Sequence, residues 1–219
     1  MDNPSATATA DDERGLRLAL QGDGTAWSEL LARHRNRLRC MIALRLDRRL
    51  RGRIDPSDVI QEAYLDAARR LGDYARDPDP MPPFLWLRFL ATQRLQEVHR
   101  RHLGAKGRDA AREIALEAVP MPAATSAALA AQLLGRDTRA SEAALRAERK
   151  LRLMEALEAM EPIDREILAL RHLEELTNAE AARTLGLSEA AASKRYTRAL
   201  RRLKDALRAL PGGSTEFRP

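Results

Sequence analysis

One stretch, residues 177–204, restricts the fold most, because it carries the signals of two short helices joined by a tight turn. Thr177 is a favourable N-cap residue, and Glu180 three residues later completes a capping box. Gly186 stands where the first helix must stop, since glycine tolerates the left-handed backbone that such a stop often uses. Ser188 can then cap a second helix. The pattern predicts a helix-turn-helix.

The second helix of this segment has one apolar face and one basic face. Its apolar residues recur at the spacings of a buried helix stripe: Ala192, Tyr196, Ala199, Leu203 and Leu207. Its other face presents Ser193, Lys194, Arg195, Arg198, Arg201 and Arg202. In a helix-turn-helix the second helix enters the major groove of DNA. These cations favour DNA contact over the alternative, a plain αα-hairpin with a solvated basic face.

The composition points to an all-α fold. Of the 219 residues, 44% are hydrophobic and only 4% aromatic, so the cores must consist mainly of aliphatic side chains. Because β-branched runs are absent and glycine is sparse in the periodic stretches, helices are expected throughout. We predict two small helical domains joined by a flexible linker, the second being the helix-turn-helix domain. The expected bounds are a disordered segment or short helix over 1–22, a first domain over 23–103, a linker over 104–140, a second domain over 141–210 and a disordered tail over 211–219.

Charge and targeting signals limit the class of protein. The net charge of +6 suits a polyanionic partner, either nucleic acid or an acidic membrane surface. Cys40 is the only cysteine, which fits a reducing compartment. The N-terminal sequence lacks the features of a signal peptide, and no apolar run approaches the roughly 18 residues of a membrane span. We therefore expect a cytoplasmic protein without membrane insertion.

The first domain has two further helices with clear signals. Asp55 and Pro56 begin one helix, which we expect to end at Gly72. The proline-rich stretch 73–83 is expected to be a loop, and a helix should follow to about His102. In that last helix we predict Phe84, Leu87, Leu90, Ala91, Leu95 and Val98 to point inward. Arg88, Gln93, Arg94, Glu97, Arg100 and Arg101 should face outward.

Three segments resemble the extracytoplasmic-function (ECF) group of bacterial RNA polymerase sigma factors. They read DPSDVIQEAYLDAARRL (55–71), PFLWLRFLATQRLQEVHRRH (83–102) and LEAMEPIDREILALRHLEELTNAEAARTLGLSEAAASKRYTRALRRLKDAL (157–207). The resemblance covers roughly 27–102 and 141–207, and it implies a promoter-specific initiation factor. The implied partners are core RNA polymerase (its β′ coiled coil and β flap) and promoter DNA, with an anti-sigma protein as a further candidate.

The resemblance implies three sets of site residues. Asp58, Gln61 and Glu62 would bind the β′ coiled coil, and a solvated amphipathic face is the alternative for this helix. The −10 element would be bound and opened by Tyr74, Arg88, Gln93, Arg94, Glu97, Arg100 and Arg101. The −35 element would be read by Ser193, Lys194, Arg195 and Arg198. Arginine can bond guanine bidentately, whereas lysine and serine more often hold phosphate. Trp86 is interpreted as a core residue.

Other constellations are weaker. His99 and His102 lie three residues apart, but no further ligand is placed to complete a metal site, so no cofactor is expected. Cys40 is interpreted as a small core residue. No catalytic motif stands out, so the chain is not expected to be an enzyme. The alternative functions are an autonomous helix-turn-helix transcriptional regulator and a basic RNA-binding accessory protein; the second would need exposed aromatic residues that the sequence lacks.

Overall fold

A computed structural model describes residues 4–103, 123–134 and 143–209. The chain divides into two compact units, an N-terminal unit over 1–122 and a C-terminal unit over 123–219. In the described ranges the regular elements are helices and there is no strand, which confirms the predicted all-α fold. The tail 211–219 and most of the predicted linker lie outside these ranges, so the predicted domain bounds stay predictions. None of the described helices is both long and apolar enough to cross a membrane.

Four helices build the N-terminal unit: α1 (Pro4–Leu20), α2 (Gly24–Arg45), α3 (Pro56–Arg76) and α4 (Pro83–Leu103). Asp23 caps α2 and Asp55 caps α3, each by accepting backbone N–H groups of the first turn. The inward face predicted for α4 is confirmed, because all six of its apolar residues are buried. They pack with an apolar stripe from α2 and α3: Leu38, Met41, Ile42, Val59, Ile60, Ala63 and Ala67.

Helix α1 starts at Pro4 and lies within the segment 1–22, for which a disordered segment or a short helix was expected. The predicted end of α3 is wrong. Helix α3 continues one turn beyond Gly72 to Arg76. A single glycine lowers helix propensity without stopping a helix that packing supports, and the true stop is Asp77, which precedes a proline and cannot easily remain helical. Tyr74, predicted to lie in a loop, is therefore on the last turn of α3.

The C-terminal unit contains α5 (Ser126–Leu133), α6 (Ala143–Glu158), α7 (Pro162–Leu168), a π-helical segment (Ala169–Leu173), α8 (Asn178–Leu185) and α9 (Glu189–Arg208). Helix α5 falls in the range predicted as linker, and it packs against α6. Glu166 of α7 also accepts a 3.1 Å hydrogen bond from the backbone N–H of Ala124, which ties the residues before α5 to this unit. Helix α9 packs on α6, α7 and α8.

Candidate nucleic-acid and partner interfaces

The turn between α8 and α9 has the predicted local chemistry. Thr177 accepts from the backbone N–H of Glu180 at 3.1 Å, and the Glu180 carboxylate accepts from the Thr177 N–H at 2.7 Å, so the capping box is confirmed. Gly186 has φ 63° and ψ 34°, the left-handed conformation that favours glycine. Ser188 caps α9, and the Asn178 side chain donates to the backbone carbonyl of Glu189 at 3.0 Å. These contacts fix the direction in which α9 leaves the turn.

Helix α9 presents a basic surface to solvent. Ala192, Ala199 and Leu203 are buried, as predicted, and Tyr196 and Leu207 are half-buried. Ser193, Lys194, Thr197, Arg198, Arg201 and Arg202 are exposed. Lys194, Arg201 and Arg202 have no ion pair with the residues that the structure describes. Their charge is therefore directed to solvent, where it can meet a phosphate backbone.

Two arginines of α9 differ from this pattern, because carboxylates of the same unit bind them. Asp164, in the first turn of α7, is fully buried at 0% exposure. The Arg195 Nη1 atom lies 3.0 Å from Asp164 Oδ1 and 2.9 Å from Glu161 Oε2. Arg198 donates to Asp164 from Nε at 3.1 Å and from Nη2 at 2.9 Å. The hydrogen bonds that Arg195 donates to Glu161 and to Asp164 raise its pKa.

The predicted partner-binding face of α3 is exposed. Asp58, Gln61 and Glu62 all face solvent, and their side chains make no hydrogen bond or ion pair with other described residues. Leu65 continues the same face one turn further along and is 58% exposed. The face thus combines carboxylates, an amide and one large apolar side chain, which suits a partner surface that is basic and partly apolar. The sequence analysis missed Leu65, although its spacing from Asp58 was a signal.

Asp66 of α3 does not belong to this exposed face. Its carboxylate is buried and binds the guanidinium of Arg94 on α4. Arg94 also contacts Glu97 at 2.6 Å, and Glu97 in turn binds Arg101. Burial opposes the charge of Arg94, but its bond with Asp66 and the nearby carboxylates outweigh this, so its pKa is raised. Three residues predicted to lie at the −10 element thus form one ion-pair chain.

The other predicted −10 residues have different surroundings. Tyr74 is buried, stacks on Trp86 with ring centroids 4.2 Å apart, and donates its hydroxyl to the Met81 carbonyl. Burial raises the pKa of Tyr74 to about 12. Stacking on a DNA base would require the Tyr74 ring to leave this position. The prediction that Trp86 is a core residue is confirmed.

One outward-facing prediction on α4 is wrong. Arg88 is 6% exposed, because the first two turns of this helix are enclosed on every side and residues 83–88 are all buried. Gln93 is half-buried and accepts from Arg70 of α3 at 3.4 Å. Arg100 and Arg101 are exposed at the end of α4. The accessible cations of this helix therefore lie near its C-terminus.

Comparison with known proteins finds a family match within the C-terminal unit. Residues 150–203, which include α7, α8 and most of α9, match the family "Sigma-70, region 4". The C-terminal unit therefore contains a segment similar to sigma-70 region 4. The chain is 32% identical, over 146 residues and 65% of its length, to the "Probable RNA polymerase sigma factor RfaY" of Xanthomonas campestris pv. campestris. The match spans 31% of the length of that relative. The resemblance to sigma factors found in the sequence is thereby confirmed, and sigma factors are not enzymes.

The fold of the chain is similar to a solved structure. CnrH, determined in complex with the cytosolic domain of CnrY, aligns with a TM-score of 0.52 at 22% identity. The alignment covers 91% of the present chain and 98% of the CnrH chain. At this identity the similarity shows that the two chains share a fold.

Among the residues that the structure describes, no three His, Cys, Asp or Glu side chains cluster in a way that could hold a metal ion. His99 accepts a 3.2 Å hydrogen bond from the backbone N–H of Asp47, and burial lowers its pKa. Cys40 is half-buried. His99 is therefore part of the packing between α4 and the segment after α2.

Proposed function

We propose that this chain is a promoter-specific initiation factor of the ECF group of sigma factors, which binds core RNA polymerase and directs it to −35 and −10 promoter elements. The observation that carries the proposal is the exposed face of α3. Asp58, Gln61 and Glu62 lie together on it and are not used by contacts within the described chain. A DNA-binding protein that acts alone has no need for an acidic surface beside its basic ones, whereas an adaptor that joins polymerase to DNA needs both.

In this proposal α3 docks on the β′ coiled coil of core polymerase. The carboxylates of Asp58 and Glu62 meet basic groups of the partner, and Leu65 contacts an apolar position between them. Charge complementarity of this kind speeds association and sets the orientation of the complex. The β flap is the expected contact of the C-terminal unit.

DNA recognition is divided between the two units. Helix α9 enters the major groove at the −35 element, with Ser193, Lys194, Arg195 and Arg198 near the DNA. The N-terminal unit binds the −10 element, and Arg100 and Arg101 contact its phosphates. The residues that shape or support this DNA-binding surface are Tyr74, Arg88, Gln93, Arg94 and Glu97. The exposure of Arg100 and Arg101 favours direct phosphate contact, and the burial of Arg88 favours a supporting role.

The proposal also covers regulation and location. CnrH is bound by the cytosolic domain of CnrY in its solved structure. We propose a protein partner of this kind, an anti-sigma factor, for the present chain as well. Because core polymerase works on the chromosome, the proposed place of action is the cytoplasm.

A pull-down with purified core polymerase from the same organism tests the docking surface. The full-length Asp58→Arg variant is expected to lose at least tenfold in affinity for core, since a cation replaces a carboxylate at a basic partner surface. Asp11→Arg, an equal reversal at an exposed position of α1, is the matched control and should bind like the wild type. Binding of Asp58→Arg at wild-type strength would reject this docking surface.

The autonomous regulator remains as a second candidate because the helix-turn-helix is complete within the C-terminal unit. It predicts tight binding to specific DNA by the purified chain without polymerase. The initiation-factor proposal predicts specific promoter binding only with core present. Selection of DNA sequences by the chain alone and by the chain with core therefore distinguishes the two functions.

A further inference from the structure

We propose that Asp164 is a positioning residue that gives Arg195 and Arg198 different tasks on the recognition helix. Arg198 reads a base edge, whereas Arg195 holds α9 against α7. This inference rests on the proposed −35 recognition by α9, and it assigns roles that the sequence analysis left undivided, since both arginines were predicted to lie at the DNA.

The way in which Asp164 holds Arg198 leaves the tip of that side chain available. A guanidinium has five N–H donors in a rigid planar fork. Arg198 donates hydrogen bonds from its Nε and Nη2 atoms to the carboxylate of Asp164, which therefore binds the side edge of the guanidinium. Glu161 Oε2 lies 3.7 Å from Nη2, beyond hydrogen-bonding distance, so Nη1 and the outer edge that it shares with Nη2 donate no hydrogen bond to the described residues. Because the Arg198 side chain is also 46% exposed, that edge can reach solvent and hence a base.

Arg195 is held in the opposite way, by its tip. Its Nη1 atom lies between Glu161 and Asp164, at 2.9 and 3.0 Å, and its side chain is only 31% exposed. The end of the side chain is therefore directed at α7 and into the unit. An outward reading position would require breaking both contacts and leaving the buried carboxylate of Asp164 with one partner, which is costly.

The charges in this cluster balance. Two carboxylates, Glu161 and Asp164, face two guanidinium groups, so the pairs carry little net charge toward the phosphate backbone. Orientation is then the main contribution of Asp164 to recognition, because a side chain fixed in the reading geometry loses less entropy when it meets a base. Loss of the Asp164 charge should free both arginines to contact phosphate in many geometries. The result is weaker discrimination between bases without an equal loss of affinity.

A sequence selection by the reconstituted holoenzyme tests the inference. Full-length chain and core polymerase are incubated with a promoter library randomised at the −35 element, and the bound DNA is sequenced. Arg198→Ala should reduce the preference at one base position on the order of tenfold, the size of a good bidentate contact. Arg195→Ala should preserve the base preferences and lower the thermal stability of the chain. Lys194→Ala is the control for a solvent-facing cation and should weaken binding to all sequences alike.

Asp164→Asn supplies the decisive comparison, because it keeps the shape of the side chain and removes its charge. The base position at which Arg198→Ala loses its preference should also be affected in Asp164→Asn, where the preference should fall severalfold. Binding of Asp164→Asn to random DNA should be kept or increased. A merely structural role for Asp164 would lower stability and leave the base preferences unchanged, and that result would overturn the inference.

A further variant covers the case in which Asp164→Asn does not fold. Arg198→Lys keeps the exposed charge but cannot be held side-on by a carboxylate, so it should lose the base preference while the salt dependence of binding is retained. Retained preference in Arg198→Lys, or loss of it in Arg195→Ala, would contradict the assigned roles. A wild-type holoenzyme that selects no −35 sequence would instead reject the proposed function.

Discussion

The His34 Nε2 atom on α2 lies 2.7 Å from Asp12 Oδ2 on α1, and both side chains are buried. The other carboxylate oxygen of Asp12 accepts from Arg33 at 2.6 Å. The His34 ring also lies beside Phe84 of α4, with centroids 5.1 Å apart. One aspartate thus links the first helix to the core of the N-terminal unit.

The first prediction concerns this link. Asp12→Ala should destabilise the N-terminal unit by about 1–3 kcal/mol, because it removes the hydrogen bond from Arg33 and the carboxylate that lies beside the buried His34 imidazole. Both tryptophans of the chain, Trp27 and Trp86, lie in this unit, so their fluorescence during urea unfolding reports on it. Asp11→Ala, at the exposed neighbouring position, is the control and should change stability little. Equal midpoints for the two variants would show that the link contributes nothing.

The second prediction concerns pH. Burial lowers the pKa of His99 below its ordinary value of 6.5, and the nearby Arg49 charge acts in the same direction. The folded unit therefore favours neutral His99, whose stabilising effect is complete above pH 6.5 and is lost as the pH falls through the folded pKa. His99→Gln, which can accept the same backbone hydrogen bond without titrating, should reduce the loss of stability between pH 7 and 5. Identical pH profiles of tryptophan fluorescence unfolding would refute this.

The third prediction concerns the turn before α9. Gly186→Ala should destabilise the helix-turn-helix by about 1 kcal/mol, because an L-residue other than glycine is strained at φ 63°. A Cβ atom there would meet no other atom within 4 Å, so the cost comes from the backbone alone. Gly186→Asn is the matched variant and should cost less, since asparagine tolerates this conformation. Amide hydrogen exchange in α8 and α9 measures both changes, and equal costs would mean that packing rather than the backbone limits this position.

The fourth prediction concerns Leu65. Leu65→Ser should weaken binding to core polymerase several-fold without lowering the unfolding midpoint, because the side chain is exposed in the free chain and lies on the proposed docking face. Leu20→Ser, at another exposed leucine, is the control. If Leu65→Ser and Leu20→Ser bind core polymerase equally well, Leu65 is not part of the docking face.

Much of the fold follows from signals that are local in the sequence. The Asp55 cap, the Thr177 capping box and the Gly186 stop each depend on residues within a few positions, and each was predicted correctly. The apolar stripe of α4 was likewise predicted correctly from the helical spacing of its apolar residues. Gly72 was misread as a helix end because its effect depends on the packing around it.

The buried charges could not be predicted in the same way. Asp66 is satisfied by Arg94, and Asp164 by arginines on α9, which follow 28 to 34 positions later in the chain. No local pattern marks such pairs, so neither Asp66 nor Asp164 could be recognised as a buried, paired carboxylate from the sequence. Arg88 is enclosed because of the way in which four helices are arranged. The hydrophobic period of a single helix does not predict such an arrangement.

Under the proposed function, the internal pairing of Arg94, Arg195 and Arg198 also bears on how the chain finds its promoter among the bulk of the chromosome. Attraction to random DNA grows with the number of phosphate counterions that a protein releases. Arginines already balanced by Asp66 and Asp164 add little to that attraction, whereas the fixed orientation of Arg198 still rewards a correct base. Non-promoter DNA then competes only weakly for the protein, and a larger share of the protein stays available to polymerase.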